Sequence, residues 1–373
     1  MKRETWIAAD SIVSPLGYTS TENFDNILAG KTGIAAIMDE YLSKETFYAS
    51  RIAGVGETAE RTKLESITVS AIDDVIAQTG VPADKSIFIL STTKGNISFL
   101  ESGQKDHPRI PLPALAQHIS DHYGFRRSLV VSNACISGVM ALLVAQRIIQ
   151  SGEVDHAVVA GVDVLSKFIV SGFQTLQAMS PELCRPFDAA RKGINLGEAA
   201  AAIVLSAKPT ELRHNKKIEI VGGGLSNDAN HISGPSRTGA ELAFAIKQAI
   251  GESGIDHSAI DFISAHGTAT IYNDEMEAKA FALAGLTDRP VHSLKGYYGH
   301  TLGAAGVVEV ALNAESLRRD VLLPSRGFEH LGVSQPLNVI TGVSSQSLNV
   351  CLKTASGFGG CNAAIILRKE NNN

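Results

Sequence analysis

Four short stretches carry the residue types from which catalytic sites are built. The first is Ser132-Asn133-Ala134-Cys135-Ile136-Ser137-Gly138. Residues 128–132 form an apolar, β-branched run of strand length. Residues 139–149 follow a helix pattern that is apolar on nearly every face, with Gly152 as its C-cap. Cys135 therefore falls at a strand-to-helix turn, at the inner end of a buried helix. There the unpaired N–H groups and the helix dipole favour a thiolate and can hold a developing oxyanion. Taken alone, Cys135 is open between a nucleophile and a structural thiol, because free cysteine is among the most buried residue types.

The second stretch, His266-Gly267-Thr268-Ala269-Thr270, directly follows a strand at 261–264. Its small residues leave room for a ligand, and Asn273-Asp274-Glu275 can cap the helix beyond. The third, Lys295-Gly296-Tyr297-Tyr298-Gly299-His300-Thr301, precedes a second all-round apolar helix at 302–318. A lysine and a histidine on a glycine-punctuated turn facing a buried helix are costly unless paired or used. The fourth, Ser356-Gly357-Phe358-Gly359-Gly360-Cys361-Asn362, has glycines that let backbone N–H groups approach a ligand closely.

The elements around these stretches alternate strand and helix. In the first half, strands are expected at 6–9, 86–91, 156–161 and 199–205, with helices at 21–29, 61–78 and 115–123. The segment 101–113 is polar and proline-rich and reads as a loop. In the second half, strands are expected at 218–222, 349–353 and 363–368, with helices at 239–250 and 275–284. The charged connector 208–217 separates an N-terminal half, 1–210, from a C-terminal half, 211–373. Each half holds one buried helix preceded by a strand or a glycine-rich turn, which suggests an internally duplicated α/β fold. The tail 370–373 reads as disordered.

Composition narrows the function classes. At 373 residues the chain exceeds a usual single-domain core. Hydrophobic residues make up 44% and charged residues 19%, which describes a well-packed soluble protein. The net charge of −5 and the lack of a long basic run argue against broad nucleic-acid binding. No apolar run reaches membrane-spanning length, and no signal peptide is apparent. Cys135, Cys184, Cys351 and Cys361 form no C-x-x-C pair, so neither a zinc site nor a disulfide framework is signalled. The chain reads as cytoplasmic and reduced, with no metal expected.

Together the four stretches resemble the condensing enzymes of the thiolase superfamily, specifically the β-ketoacyl-[acyl carrier protein] synthases of the elongating (type I/II) group. The resemblance covers nearly the whole chain. It extends to Ile12-Val13-Ser14-Pro15-Leu16-Gly17, to Leu28 through Ile34, to Arg185-Pro186-Phe187-Asp188 with Gly197-Glu198, and to Gly303-Ala304-Ala305-Gly306. It implies a duplicated five-layer α-β-α-β-α thiolase fold. It further implies an acyl group carried on Cys135 and condensed with a malonyl thioester on an acyl carrier protein. His266 and His300 are then the donors to the enolate left by decarboxylation, with Lys295 among the catalytic set and Glu309 behind it. Phe358 supplies an oxyanion N–H and a gate, while Thr268 and Thr270 hold the phosphopantetheine arm. No cofactor beyond that arm is implied, and a dimer is expected, identical or with a related subunit. Arg185 and Asp188 are expected as a structural ion pair, and Cys184, Cys351 and Cys361 as structural thiols.

Three departures from the family pattern stand out: Ala269 in place of a more usual glycine, Ser356 before the glycine loop, and a compact segment at 95–113. They suggest an acyl pocket altered from that of a housekeeping saturated-chain synthase, for short, unsaturated or aryl-polyene primers. Two other readings stay open. One is a non-catalytic, chain-length-factor-like partner subunit. The other is a coenzyme A-dependent thiolase, with Cys361 as the only candidate for a second catalytic cysteine.

Overall fold

The structure is a computed structural model describing residues 3–58, 60–208, 216–229 and 234–370. Its main sheet has eleven strands. They are β1 (Trp6–Val13), β2 (Ser86–Ser91), β3 (Arg127–Val131), β4 (His156–Asp163), β5 (Ala199–Ser206), β6 (Lys217–Asn227), β7 (Phe262–Ser264), β8 (Pro290–His292), β9 (Asn338–Val339), β10 (Val350–Gly357) and β11 (Cys361–Glu370). Helices of more than two turns are α1 (Ser20–Leu28), α2 (Lys63–Thr79), α3 (Leu112–Tyr123), α4 (Ser137–Gln150), α5 (Lys167–Thr175), α6 (Ala240–Ser253), α7 (Ile271–Leu283) and α8 (Ala305–Arg319).

The strand order β9-β8-β7-β10-β11-β6-β1-β5-β4-β2-β3 contains the same pattern twice. Outward from the centre on one side, β1, β5 and β4 are antiparallel neighbours, and β4, β2 and β3 are parallel. On the other side, β6, β11 and β10 are antiparallel neighbours, and β10, β7 and β8 are parallel. The half-sheets join where Trp6 and Ile7 pair with Glu219 and Ile218.

Each half-sheet is covered on both faces, which is why its strands read as nearly continuous apolar runs. Successive strand residues point to opposite faces. Ile87 and Ile89 pack into a central cluster with α4 and α8, whereas Phe88 and Leu90 pack outward with Leu64, Ile72 and Leu115 of α2 and α3. In the other half, Ile365 and Leu367 face the centre, and Ala364 and Ile366 face α6 and α7. The layers are therefore α2/α3, half-sheet, α4/α8, half-sheet, α6/α7, the five-layer duplicated architecture expected. At the crossing of the central helices there is no room for a side chain. A Cβ on Gly138 would lie 2.8 Å from the Val307 nitrogen, and one on Gly306 would lie 2.4 Å from the Val139 nitrogen.

Several boundaries differ from the periodicity reading. Helix α7 starts at Ile271, a turn before 275, and Leu302–Ala304 is a 3₁₀ turn rather than the first turn of α8. The segment read as a loop at 101–113 ends inside α3, whose first turn holds Pro113, where a missing N–H costs nothing. Helix α5 and a small sheet of Ile34–Ile37, Phe47–Ser50 and Leu196–Gly197 are additions. Strands of two to four residues are too short to show a period. Most of the connector, the half boundary at 210/211 and the end of the tail lie outside the described residues. Among those described, no helix is long and apolar enough to cross a membrane.

Candidate active site

Between β3 and α4 the chain makes a tight turn in which Ala134 takes a left-handed conformation, φ 45°. A non-glycine residue held there stores strain that its surroundings must over-determine. Ser137 does this locally: its Oγ donates to the Ala134 carbonyl at 2.6 Å and accepts from the Asn133 N–H at 2.8 Å. The turn places Cys135 at the base of a cleft, 8% exposed, with the Phe358 N–H directed at its sulfur. Burial pushes the thiol up to about 12, the neighbouring Cys361 adds to this, and Lys295 and the Phe358 N–H oppose it. The resting group is thus a thiol, not the thiolate that the helix terminus alone suggests; desolvation outweighs the dipole.

His266 sits on the turn after β7. The His266 and Gly267 N–H groups donate to the two carboxylate oxygens of buried Glu277, at 2.8 and 2.6 Å. His300 is fixed by backbone pairing with the 195–197 segment: its N–H donates to Asn195 O at 2.7 Å, and the Gly197 N–H donates to His300 O at 3.0 Å. Only glycine fits at 197, since a Cβ there would lie 1.9 Å from the Tyr298 carbonyl oxygen. The imidazoles meet edge to face, centroids 5.1 Å apart at 84°. The Nδ1 of His266 and both ring nitrogens of His300 find no hydrogen-bond partner among the described residues. Burial first, and then the Lys295 and Lys353 charges, hold both rings well below the ordinary histidine range, so both are neutral. One ligand atom from each of Cys135, His266 and His300 lies within 4.8 Å of the other two. Such a set could bind a soft metal, or act on one thioester from both sides.

Behind the histidines lies a buried charge network. Lys295 Nζ pairs with Glu309 Oε1 at 2.8 Å, and Lys353 Nζ approaches Glu309 Oε2 at 2.8 Å. Burial would raise the Glu309 carboxyl, yet the two ammonium groups hold it below its usual range. Neither Lys295 nor Glu309 lines the cleft.

The cleft, of about 470 Å³, is lined by Cys135, His266, His300, Thr268, Thr270 and Phe358, together with apolar Phe173, Leu176 and Ile194. The two threonine hydroxyls are 2.9 Å apart. Phe358 is 39% exposed and stacks on Phe173, centroids 5.6 Å apart at 27°. The Phe173–Phe358 pair thus forms part of the cleft wall.

Comparison with known proteins identifies the family. Residues 112–210 match the family model for the beta-ketoacyl synthase N-terminal domain, and residues 218–329 match that for the C-terminal domain. The chain is 28% identical to 3-oxoacyl-[acyl-carrier-protein] synthase 2 of Vibrio cholerae over 99% of both chains. Among solved structures it resembles a beta-ketoacyl synthase from Burkholderia phymatum (27% identity, all of both chains, TM-score 0.89) and the ishigamide ketosynthase/chain length factor (25%, all of both chains, TM-score 0.89). The chain belongs to the beta-ketoacyl synthases. Its fold is the thiolase fold of that superfamily.

Within this synthase the structure brings every site residue read from the sequence to one place, in two tiers: six at the cleft, and Lys295 with Glu309 behind. Three readings change. Arg185 pairs with Glu329 at 3.6 Å, while Asp188 instead accepts backbone N–H groups of Ala190, Glu329 and His330 at 2.7–2.8 Å. Cys361, expected as a structural thiol and otherwise only as the second cysteine of a thiolase, lies beside the nucleophile: a Cβ on Gly357 would sit 2.9 Å from its sulfur and 3.0 Å from the Cys135 nitrogen. The thiolate reading of Cys135 is the third. Sequence reasoning also missed Lys353, Glu277 and Phe173. A lysine inside the apolar strand 349–353 was the one available signal for Lys353.

Proposed function

We propose that this synthase catalyses decarboxylative Claisen condensation: an acyl group on Cys135 is joined to malonyl-acyl carrier protein to give 3-oxoacyl-acyl carrier protein. The observation that carries this reading is a buried thiol whose sulfur lies within 4.8 Å of two neutral imidazole nitrogens.

In the first half-reaction, the Cys135 thiol attacks the acyl thioester. A neighbouring imidazole takes the proton as the S–C bond forms, because the buried thiol does not ionise unaided. The Phe358 N–H, with that of Cys135, faces the oxygen that gains charge. The carrier's thiol leaves with the proton. In the second, a malonyl thioester enters past Phe358, and Thr268 and Thr270 offer hydroxyls to the amides of its arm. His266 and His300, as neutral donors, stabilise the enolate oxygen as CO₂ departs, with the Glu309 carboxylate behind them paired to Lys295 and Lys353. The carbanion attacks the acyl-Cys135 carbonyl, the C–S bond breaks, and the departing Cys135 thiolate takes up a proton from solvent by way of an imidazole. No cofactor is needed beyond the arm that carries each substrate.

Two features support a carrier-dependent, catalytic subunit over the alternatives. A non-catalytic, chain-length-factor-like partner has no use for the intact Cys-His-His set. A coenzyme A-dependent thiolase needs a second thiol, and Cys361 stands in the right neighbourhood, but such an enzyme has no need of two free imidazoles aimed at the first. We read the working unit as a cytoplasmic dimer, identical or with a related chain. The test is CO₂ release from malonyl-acyl carrier protein and mass detection of acyl-Cys135 across a panel of acyl carriers. No turnover of any malonyl thioester would favour the other two readings. A preference for ordinary long saturated chains would sink the altered-pocket expectation alone.

A further inference from the structure

Lys353 is a charged side chain with no exposed surface at all, on a strand whose neighbours are apolar. On β10, Cys351 and Ala355 face the central layer, whereas Val350 and Leu352 face the outer one. The alternation therefore turns Lys353 inward toward α8. Register matters as much as face. Lys353 lies directly across from Ser264, the last residue of β7, so its ammonium reaches the turn that begins there. It donates to the carbonyls of Ser264 at 3.3 Å, Ala265 at 3.1 Å and Thr354 at 2.6 Å, and it pairs with Glu309 at 2.8 Å. Ala265 immediately precedes His266. Glu309 holds Lys295, and the Lys295 carbonyl accepts from Gly299 next to His300.

We propose that Lys353 is a positioning residue for the decarboxylation step, clamping the His266 turn to Glu309 so that both histidines are held in register. The inference rests on the condensation reading above. A purely structural need is the weaker account. A buried ion pair is seldom more stabilising than an apolar isostere, and the Lys295–Glu309 pair is already electrically complete without a second ammonium. What the second lysine adds is a link between the two histidine turns, and a positive charge that neither imidazole can easily join. The charged and titratable groups facing it are Glu309 on α8, Lys295 on its single turn, Glu277 on α7, His292 on β8, Cys351 on its own strand, and His266 and His300.

The experiment compares full-length wild type with Lys353→Met, which keeps the volume, and Lys353→Gln, which keeps a donor without the charge. Three quantities are read: acylation of Cys135 by mass, CO₂ release from malonyl-acyl carrier protein, and the pH profile of that release. In Lys353→Met we expect CO₂ release to fall roughly ten- to hundredfold, the scale on which groups that orient a first set of ligands act. Acylation should stay within about threefold of wild type on the same reasoning, because the Cys135 turn is held by Ser137 and not by Lys353. The acid limb of CO₂ release should move to higher pH, since less positive charge opposes imidazole protonation. Lys353→Gln should release CO₂ faster than Lys353→Met. Equal losses in acylation and CO₂ release, an unmoved pH profile, unchanged CO₂ release, or failure of both variants to fold would each overturn the proposal. If wild type itself releases no CO₂, the condensation reading falls, whatever the variants do.

Discussion

The two central helices, α4 and α8, are copies of one architectural part put to opposite uses. Both are largely buried, and they touch through Gly138 and Gly306. At the start of α4 the sequence supplies one uncharged thiol on a strained turn. Next to α8 it supplies Lys295, His300 and Glu309, and with them Lys353 and His266 from the same half. Covalent capture needs a single nucleophile with N–H donors around its developing oxyanion. Decarboxylation needs an environment that keeps two imidazoles uncharged and correctly aimed, and burial, reinforced by the Lys295 and Lys353 charges, achieves that. Duplication let one copy become the carrier of the acyl group and the other the stabiliser of the enolate.

That division can be broken one side at a time. The largest effect is expected from Cys135→Ala. Condensation should fall by more than about a thousandfold, the scale of losing a nucleophile. No acyl-enzyme should be detected by intact mass, yet malonyl-carrier decarboxylation should persist, because the histidine side is untouched. If CO₂ release vanished as well, the two sides would not be separable. Next is His300→Ala, which removes one of two enolate donors. Decarboxylation should drop roughly 10²–10³-fold, as for a lost oxyanion donor. Acyl-Cys135 should still form, and its mass peak is the check. Loss of acylation too would make His300 the sole base for the thiol.

The joint between the copies gives a third, smaller effect. In Gly306→Ala the new methyl would stand 2.4 Å from the backbone nitrogen of Val139, which cannot swing aside. Overpacking of this kind costs about 1–3 kcal/mol, read as a lower denaturant midpoint with an unchanged slope. Activity should fall further than stability alone requires, because Gly306 and Gly138 also set how the thiol sits against the histidines. A fully stable, fully active variant would show that the helices can part without moving the site.

The same comparison explains what the sequence could and could not reveal. Cys135, His266 and His300 were legible as an ordered set of motifs matching one family pattern, whereas Cys135 alone reads equally well as a buried structural thiol. The duplicated layering was legible because strands buried on both faces give unbroken apolar runs. Lys353 was not. In 349–353 a lysine after three apolar residues reads as the solvent-facing end of a strand, and only the register β7–β10 reveals that it points inward. Phe173 was hidden because its helix was not read from the sequence, and only the cleft shows what it stacks on. The state of the Cys135 thiol was misread because a local argument from a helix terminus contains no term for the burial supplied by residues hundreds of positions away.

The smallest expected effect tests the charge environment rather than any one contact. Burial, Lys295 and Lys353 hold His266 and His300 well below the usual histidine value of 6.5. Decarboxylation by the wild type should therefore be flat from about pH 8 down past the ordinary histidine pKa, with its acid limb appearing only well below. The sign for stability runs with this. Unfolded histidines take up protons below 6.5 while the folded ones refuse them, so the folded state binds fewer protons there and loses stability as pH falls. Above 6.5 both states carry neutral rings, and this contribution is constant. A denaturant midpoint that declines on acidification below 6.5, beside a rate that stays level until lower pH, is the expected pair. A rate that instead titrates at 6.5 would mean that burial and the two lysines do not keep the imidazoles neutral. The division of labour between the two helices would then lack its electrostatic basis.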